Sequence, residues 1–123
     1  MRPVIALVLA LASGPALAAE PQGEAIFQRC YACHSLDPAD RGLPAPNLAG
    51  VVGRRAGSAP AFDYSPAMRE AGRGGLVWTE AALDRFLADP AATVPKTWMD
   101  FPGLMDPAER AAVIAYLKSQ PAL

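Results

Sequence analysis

Histidine and cysteine are nearly absent from this chain. His34 is its only histidine, and Cys30 and Cys33 are its only cysteines. A structural zinc site needs three or four Cys, His or carboxylate ligands of its own, so that scarcity excludes a conventional zinc module. Lysine is almost as rare, with only Lys96 and Lys118, and the other basic residues are arginines scattered without interleaved aromatics. That pattern leaves no footprint for nucleic acid. Strand-like alternation and internal repeats are missing. So is a βαβ pattern, beside which a thioredoxin-type dithiol would sit. No apolar run approaches the roughly 20 residues that cross a bilayer. Proline and glycine are plentiful instead, at 13 and 10, and predict few helices joined by long ordered loops.

The N-terminus has its own logic. Met1-Arg2 gives a short positive start, Val4 to Ala12 is continuously apolar, Ser13-Gly14-Pro15 breaks the run, and Ala16-Leu17-Ala18 has the A-x-A form. Together these read as a secretory signal peptide cleaved after Ala18, and the expected destination is a bacterial periplasm. Residues 19–123 then form a single domain of 105 residues, and loss of Arg2 takes the net charge from −1 to about −2. That size is adequate but not generous for a core.

All three rare residues fall in one pentapeptide, Cys30-Tyr31-Ala32-Cys33-His34. C-x-x-C-H is the attachment signature of c-type haem. On a helix, thiols three residues apart share a face. They can reach the two vinyl groups of one porphyrin edge and form thioethers. The adjacent histidine is then carried beneath the macrocycle as the proximal iron ligand. A plain disulfide satisfies the cysteines but leaves His34 without a role. The expected cofactor is therefore one haem c, covalent through Cys30 and Cys33.

The helices follow from spacing and caps. Gly23 to Cys33 reads as the first, with Ile26 and Phe27 on the face of the cysteines and Gly23 allowing close helix packing. A short helix is expected around Pro66 to Glu70, ended by Gly72, Gly74 and Gly75. Thr79 is placed to cap the next, whose apolar stripe is Leu83, Phe86 and Leu87 and whose stop is Asp89-Pro90. Pro90 to Pro102 reads as a loop. Asp106-Pro107-Ala108-Glu109 opens the last helix in capping-box manner, and Arg110, Val113, Ile114 and Leu117 form its buried stripe, with the arginine stem covering one end.

Residues 35–62 have no sustained period, and an irregular segment of that length in a compact domain is usually functional. The Pro46 carbonyl lacks a partner N–H of its own and can accept from Nδ1 of His34, fixing the ring. Leu48 can pack on a macrocycle. Arg54 or Arg55, Tyr64 and Trp78 are donors suited to buried propionates. For the second iron ligand, methionine competes with methionine. Met99 lies in a loop pinned by Pro95 and Pro102, Met68 on the short helix, and Met105 just before a helix cap, where a packing role is expected. Pattern alone gives Met99 a modest lead.

In order and spacing these landmarks resemble the class I c-type cytochromes, the family of mitochondrial cytochrome c and the small bacterial periplasmic cytochromes. The resemblance covers nearly all of residues 20–119. It runs through Gly23, Phe27, the C-Y-A-C-H pentapeptide, Pro46-Asn47-Leu48-Ala49-Gly50, Gly53-Arg54, Phe62-Asp63-Tyr64, Val77-Trp78, Pro95 to Leu104 and Ala115-Tyr116-Leu117. It implies an all-α fold of three main helices and one or two short ones, with long loops wrapped round one covalently attached haem. It implies His34 and Met99 as iron ligands, Pro46 accepting from His34, Leu48 against the haem, Arg54, Tyr64 and Trp78 on the propionates, and Thr97 buttressing the pocket. Gly23, Phe27, Tyr116 and Leu117 are the implied contact of first and last helices.

The sequence departs from that family at several points. Lys96 stands where glycine is usual, Phe86 where a tyrosine often reaches the ligand sulfur, and Met68 where asparagine is common. The Gly72–Gly75 segment is a few residues longer than in the shortest members. The lysine ring expected around the haem edge is largely missing. The implied function is electron transfer in the periplasm by a monomer, not enzymatic turnover. Donor and acceptor proteins would be met in brief encounters or within a dehydrogenase. The alternative class is a haem enzyme or small-ligand sensor, in which a labile Met99 opens the sixth position to peroxide or a diatomic gas.

Overall fold

The computed structural model describes Met1, residues 3–10 and residues 16–122. Among the described residues five helices follow one another: α1 Ala16–Phe27, α2 Pro66–Arg73, α3 Glu80–Ala88, α4 Pro90–Thr93 and α5 Pro107–Ser119. Three long helices, two short ones and extended loops match the expected architecture. Among the described residues the only β pairing is an isolated antiparallel bridge between Arg55 and Val77.

α1 and α5 form the principal helix pair. A Cβ on Gly23 would strike the Ala112 carbonyl and the Tyr116 side chain. Only glycine lets the two backbones approach this closely. Phe27 is fully buried beneath the crossing, its ring 5.8 Å from that of Tyr116. Val113, Ile114 and Leu117 of α5 continue the core towards Leu83 and Phe86 of α3.

The first helix differs from its expected span of 23–33. It begins at Ala16 and ends at Phe27. Beyond it Arg29 and Cys30 donate back to Ile26 and Phe27, and Cys33 to Cys30, all three residues apart. The C-x-x-C-H segment thus lies on tight turns after the helix, because three-residue bonds overwind the backbone. Of the segment read as a leader, Arg2 and residues 11–15 lie outside the described residues, and residues 16–18 belong to the start of α1.

Short-range caps set the other helices. Thr79 accepts from the Ala82 N–H at 3.1 Å, and Asp106 from the Ala108 N–H at 2.8 Å. Ser65, which the sequence reading passed over, caps α2 by accepting from Met68 N–H at 3.1 Å. α2 runs through Gly72 to Arg73 and does not stop at the first glycine. Gly72 is there for packing, since a Cβ would strike the Ala56 carbonyl. α4 corrects the expectation of a loop from Pro90. Asp89 ends α3 and also caps the next turn, accepting from Ala92 N–H at 3.1 Å, with Pro90 at the first helical position.

Two further expectations about α5 change. Glu109 does not close a capping box; it pairs with Arg29 of the segment after α1 at 3.3 Å. Arg110 contributes its charge as well as its stem. Its Nε donates to Asp84 at 2.8 Å and a terminal nitrogen donates to the Leu104 carbonyl at 2.8 Å, so it clamps α3, α5 and the loop between them.

Candidate functional site

His34 follows the turn bonds of the pentapeptide, its own N–H donating to the Cys30 carbonyl at 2.9 Å. The Pro46 carbonyl lies 2.7 Å from its Nδ1. A carbonyl can only accept, so Nδ1 carries the proton and Nε2 keeps its lone pair for a metal. Burial pushes the basicity of His34 down, the Pro46 bond pulls it back up, and the nearby Arg54 charge lowers it again. Both cysteines are free thiols, Cys30 half-buried and Cys33 exposed. A disulfide, the competing explanation for the pair, is not formed.

The Pro46 carbonyl is held in place by its neighbour. Asn47 accepts from Ala49 N–H at 2.8 Å and donates to the Asp37 carbonyl at 2.6 Å. Leu48 donates its N–H to Ser35 at 2.9 Å and packs its half-buried side chain on the core. The role of Asn47 went unassigned in the sequence reading. Its signal was the turn chemistry of asparagine after proline, whose side chain bonds the backbone two residues on.

Arg55 is exposed, whereas Arg54 is half-buried. Its terminal nitrogens donate to the Asn47 carbonyl at 2.9 Å and the Ala49 carbonyl at 3.0 Å. Its Nε is buried with no partner among the described residues. A buried orphan donor of this kind is costly unless an acceptor joins it, and a haem carboxylate is an acceptor of the right charge. Burial disfavours the charged form of Arg54, and the adjacent Tyr64 partly restores it. Tyr64 is buried, accepts from Ala59 N–H at 3.0 Å, and has its phenol pushed up by burial. Backbone pairing brings Trp78 beside this group, because Gly53 donates to Trp78 and Trp78 to Arg54, both at 2.8 Å. The Trp78 ring packs on Phe86 at 4.9 Å.

The methionines separate by exposure. Met105 is 84% exposed, so its expected packing role is wrong; the Arg110 contact holds only its backbone. Met68 is buried at 8% exposure inside the α2 contact. Met99 is half-buried and packs against the core from a loop. Thr97 accepts from Met99 N–H at 3.3 Å and so fixes the start of that residue. No donor among the described residues reaches the Met99 sulfur. Lys96 holds φ +67°, the left-handed conformation that the usual glycine would adopt freely.

Free thiols, a histidine with Nε2 available, a loop methionine and an unpartnered buried guanidinium N–H are the donor set that a haem c with its propionates requires. Among the described residues no group of three or more His, Cys, Asp or Glu could hold a metal ion instead.

Comparison with known proteins places the whole chain. The family model for cytochrome c matches residues 21–121. Cytochrome c2 of Afifella marina is 45% identical over 97 residues, covering 79% of this chain and 78% of that one. The structure of cytochrome c2 from Rhodospirillum centenum superposes with TM-score 0.77 at 39% identity, covering 83% of this chain and 98% of that one. For cytochrome cH from Methylobacterium extorquens the TM-score is 0.74 at 40% identity, with 82% and 98% covered. The chain therefore belongs to the cytochrome c family, as a class I c-type cytochrome that carries one haem c through Cys30 and Cys33 and transfers electrons.

Proposed function

We propose that this cytochrome is an exported carrier of single electrons, with His34 and Met99 as the two axial ligands of its iron. The bound haem supplies a one-electron Fe(III)/Fe(II) couple, and a thioether ligand opposite histidine favours the reduced state and raises the potential. The observation that carries the reading is the 2.7 Å bond between His34 and Pro46. It leaves one imidazole nitrogen for iron and orients the ring. Met99 reaches the core from a loop that Thr97 and the prolines hold, whereas Met105 lies in solvent. With both axial positions filled by the chain, no substrate site is needed. Peroxide cleavage needs a distal acid–base group, and the only histidine is already committed. Arg54, Tyr64 and Trp78 face the propionates in this reading, and Leu48 packs on the macrocycle.

Export with cleavage after Ala18 is supported by Pro21. In the uncleaved chain Pro21 sits inside α1, where it removes an intrahelical donor. With the helix beginning at Ala19, Pro21 falls in the first turn, where no such bond is lost. No helix among the described residues is long and apolar enough to cross a membrane. The donor and acceptor are redox proteins, met in small transient interfaces.

The test is absorption spectroscopy of the purified mature protein in both oxidation states. The expected result is the ferric thioether-to-iron charge-transfer band and no carbon monoxide binding after reduction. A haem protein that lacks the band and binds carbon monoxide rapidly overturns Met99 ligation.

A further inference from the structure

Of the methionines left after loss of the leader, Met105 alone stands in open water, at 84% exposure. The fold keeps it there. Gly103, at φ +107°, lies so close to the Ala88 carbonyl that a Cβ would strike it. Leu104 donates its N–H to the Leu87 carbonyl at 2.7 Å and buries its side chain. Arg110 then donates to the Leu104 carbonyl at 2.8 Å and the Met105 carbonyl at 3.2 Å, and Asp106 caps α5. The backbone on both sides of Met105 is thus pinned, with Leu104 turned in and Met105 turned out.

Access and chemistry separate the sulfur atoms of the mature protein. Cys30 and Cys33 are consumed by their thioether bonds to haem. Met68 is buried in the core at 8% exposure. Met99 is half-buried and, as proposed above, gives a sulfur lone pair to iron. Met105 keeps both lone pairs and lies in water. A thioether of that kind is what a peroxide oxidises to a sulfoxide. The consequences of oxidation differ as well. A sulfoxide oxygen on Met68 would bury a strong acceptor in an apolar core, which is costly without a donor. On Met105 the same oxygen points into solvent, and the bonds that hold the loop are made by its backbone, not by its side chain.

We infer that Met105 is a peroxide-reactive modification site, an outer thioether that is converted reversibly to its sulfoxide while Met68 and Met99 stay reduced. Its sulfur attacks one peroxide oxygen, and the O–O bond breaks. The departing oxygen takes up the proton of the transferred one and leaves as water, or as an alcohol where the reagent is an alkyl hydroperoxide. Sulfur loses two electrons and the peroxide gains them. The iron takes no part. A thiol-driven methionine sulfoxide reductase reverses the change, as two thiols become a disulfide and the oxygen leaves as water. Each cycle removes a peroxide at the outer side of the loop that also carries Met99. The order against Met68 rests on burial alone, and the order against Met99 rests also on the ligation proposed above.

The experiment treats haem-loaded mature protein with limiting hydrogen peroxide and follows oxygen addition at each methionine by peptide mass spectrometry. Met105 is expected to gain oxygen at least about tenfold faster than Met68 or Met99. The ferric thioether-to-iron band, recorded on the same samples, is expected to persist once Met105 is fully converted. Met105→Leu is expected to add no oxygen over the same interval. In urea the three methionines are expected to react at comparable rates, because the fold sets the order. Methionine sulfoxide reductases for both sulfoxide epimers, supplied with dithiothreitol, are expected to return Met105 to the thioether. Oxygen arriving first or equally on Met68 or Met99, no addition at any methionine, the same order surviving in urea, or a sulfoxide that the reductases leave untouched each overturns the proposal. The ligation reading is tested separately. A band already missing before peroxide is added overturns Met99 ligation, while the order of Met105 and Met68 is still read from the peptides.

Discussion

The side-chain amide of Asn47 donates to the Asp37 carbonyl at 2.6 Å, and this bond fixes the loop whose preceding carbonyl holds His34. Asn47→Ala removes that donor and the acceptor for Ala49 N–H, leaving the buried Ala49 N–H unpartnered. The expected cost is about 1–3 kcal/mol, measured by urea denaturation of the holoprotein. The His34 Nδ1 proton is expected to exchange faster in the variant than in the parent. An unchanged exchange rate would show that the Pro46 carbonyl is held by something other than Asn47.

Gly23 against Ala112 gives the second prediction. Gly23→Val places methyl groups where a Cβ already collides with α5, and overpacking of this kind typically costs about 1–3 kcal/mol. The comparison is Gly74→Ala, at a helix end with φ −73° and only ordinary contacts. Thermal melts of both holoproteins check it, with a clear loss expected for the first and little change for the second.

Lys96 gives a gain in place of a loss. Lys96→Gly relieves the left-handed backbone at φ +67°, and the expected stabilisation is about 1 kcal/mol. Lys96→Ala keeps the Cβ and is expected to gain nothing. Equal melting temperatures for the glycine and alanine variants would remove backbone strain as the explanation.

How far such details were legible in the sequence depended on their range. Thr79 and Asp106 act within three residues, and their capping could be read directly. Gly23 was legible because a glycine on an apolar helix face has few other uses. The end of α1 was not, since apolar spacing cannot tell three-residue from four-residue backbone bonds. α4 was hidden because Asp89 closes one helix and caps the next. The Arg110–Asp84 clamp joins residues that only the folded chain brings together. The axial candidates needed burial as well: nothing local says that Met105 faces solvent and Met99 the core.

Tyr64 ties stability to alkaline pH. Burial raises its phenol above the ordinary value, with the Ala59 N–H and Arg54 opposing. A raised folded-state value means that the folded protein holds the proton more tightly than the unfolded chain. Its contribution is therefore complete below the unfolded value near pH 10 and is lost as pH rises through the folded one. Tyr64→Phe is expected to lower stability at neutral pH, because Ala59 N–H loses its acceptor, while flattening the decline above about pH 10. Urea titrations at neutral and alkaline pH give the test, and an equally steep decline in the variant would assign it to another group.

Arg54 links structure to redox chemistry. Arg54→Leu removes the donors that satisfy the Asn47 and Ala49 carbonyls, so the fold is expected to lose about 1–3 kcal/mol. It also removes a buried positive charge. That charge opposes the ferric state, which carries one more positive charge than the ferrous state, and so holds the potential up. Its loss should lower the potential by tens of millivolts, on the scale of about 59 mV per tenfold change for one electron. Arg55→Leu, one residue along, is the control, since Arg55 contributes its backbone to the bridge with Val77. Spectroelectrochemical titration of the three proteins decides the matter. A fall confined to Arg54→Leu places the charge at the propionates. Equal shifts in both variants would reduce its effect to the general field of the surface.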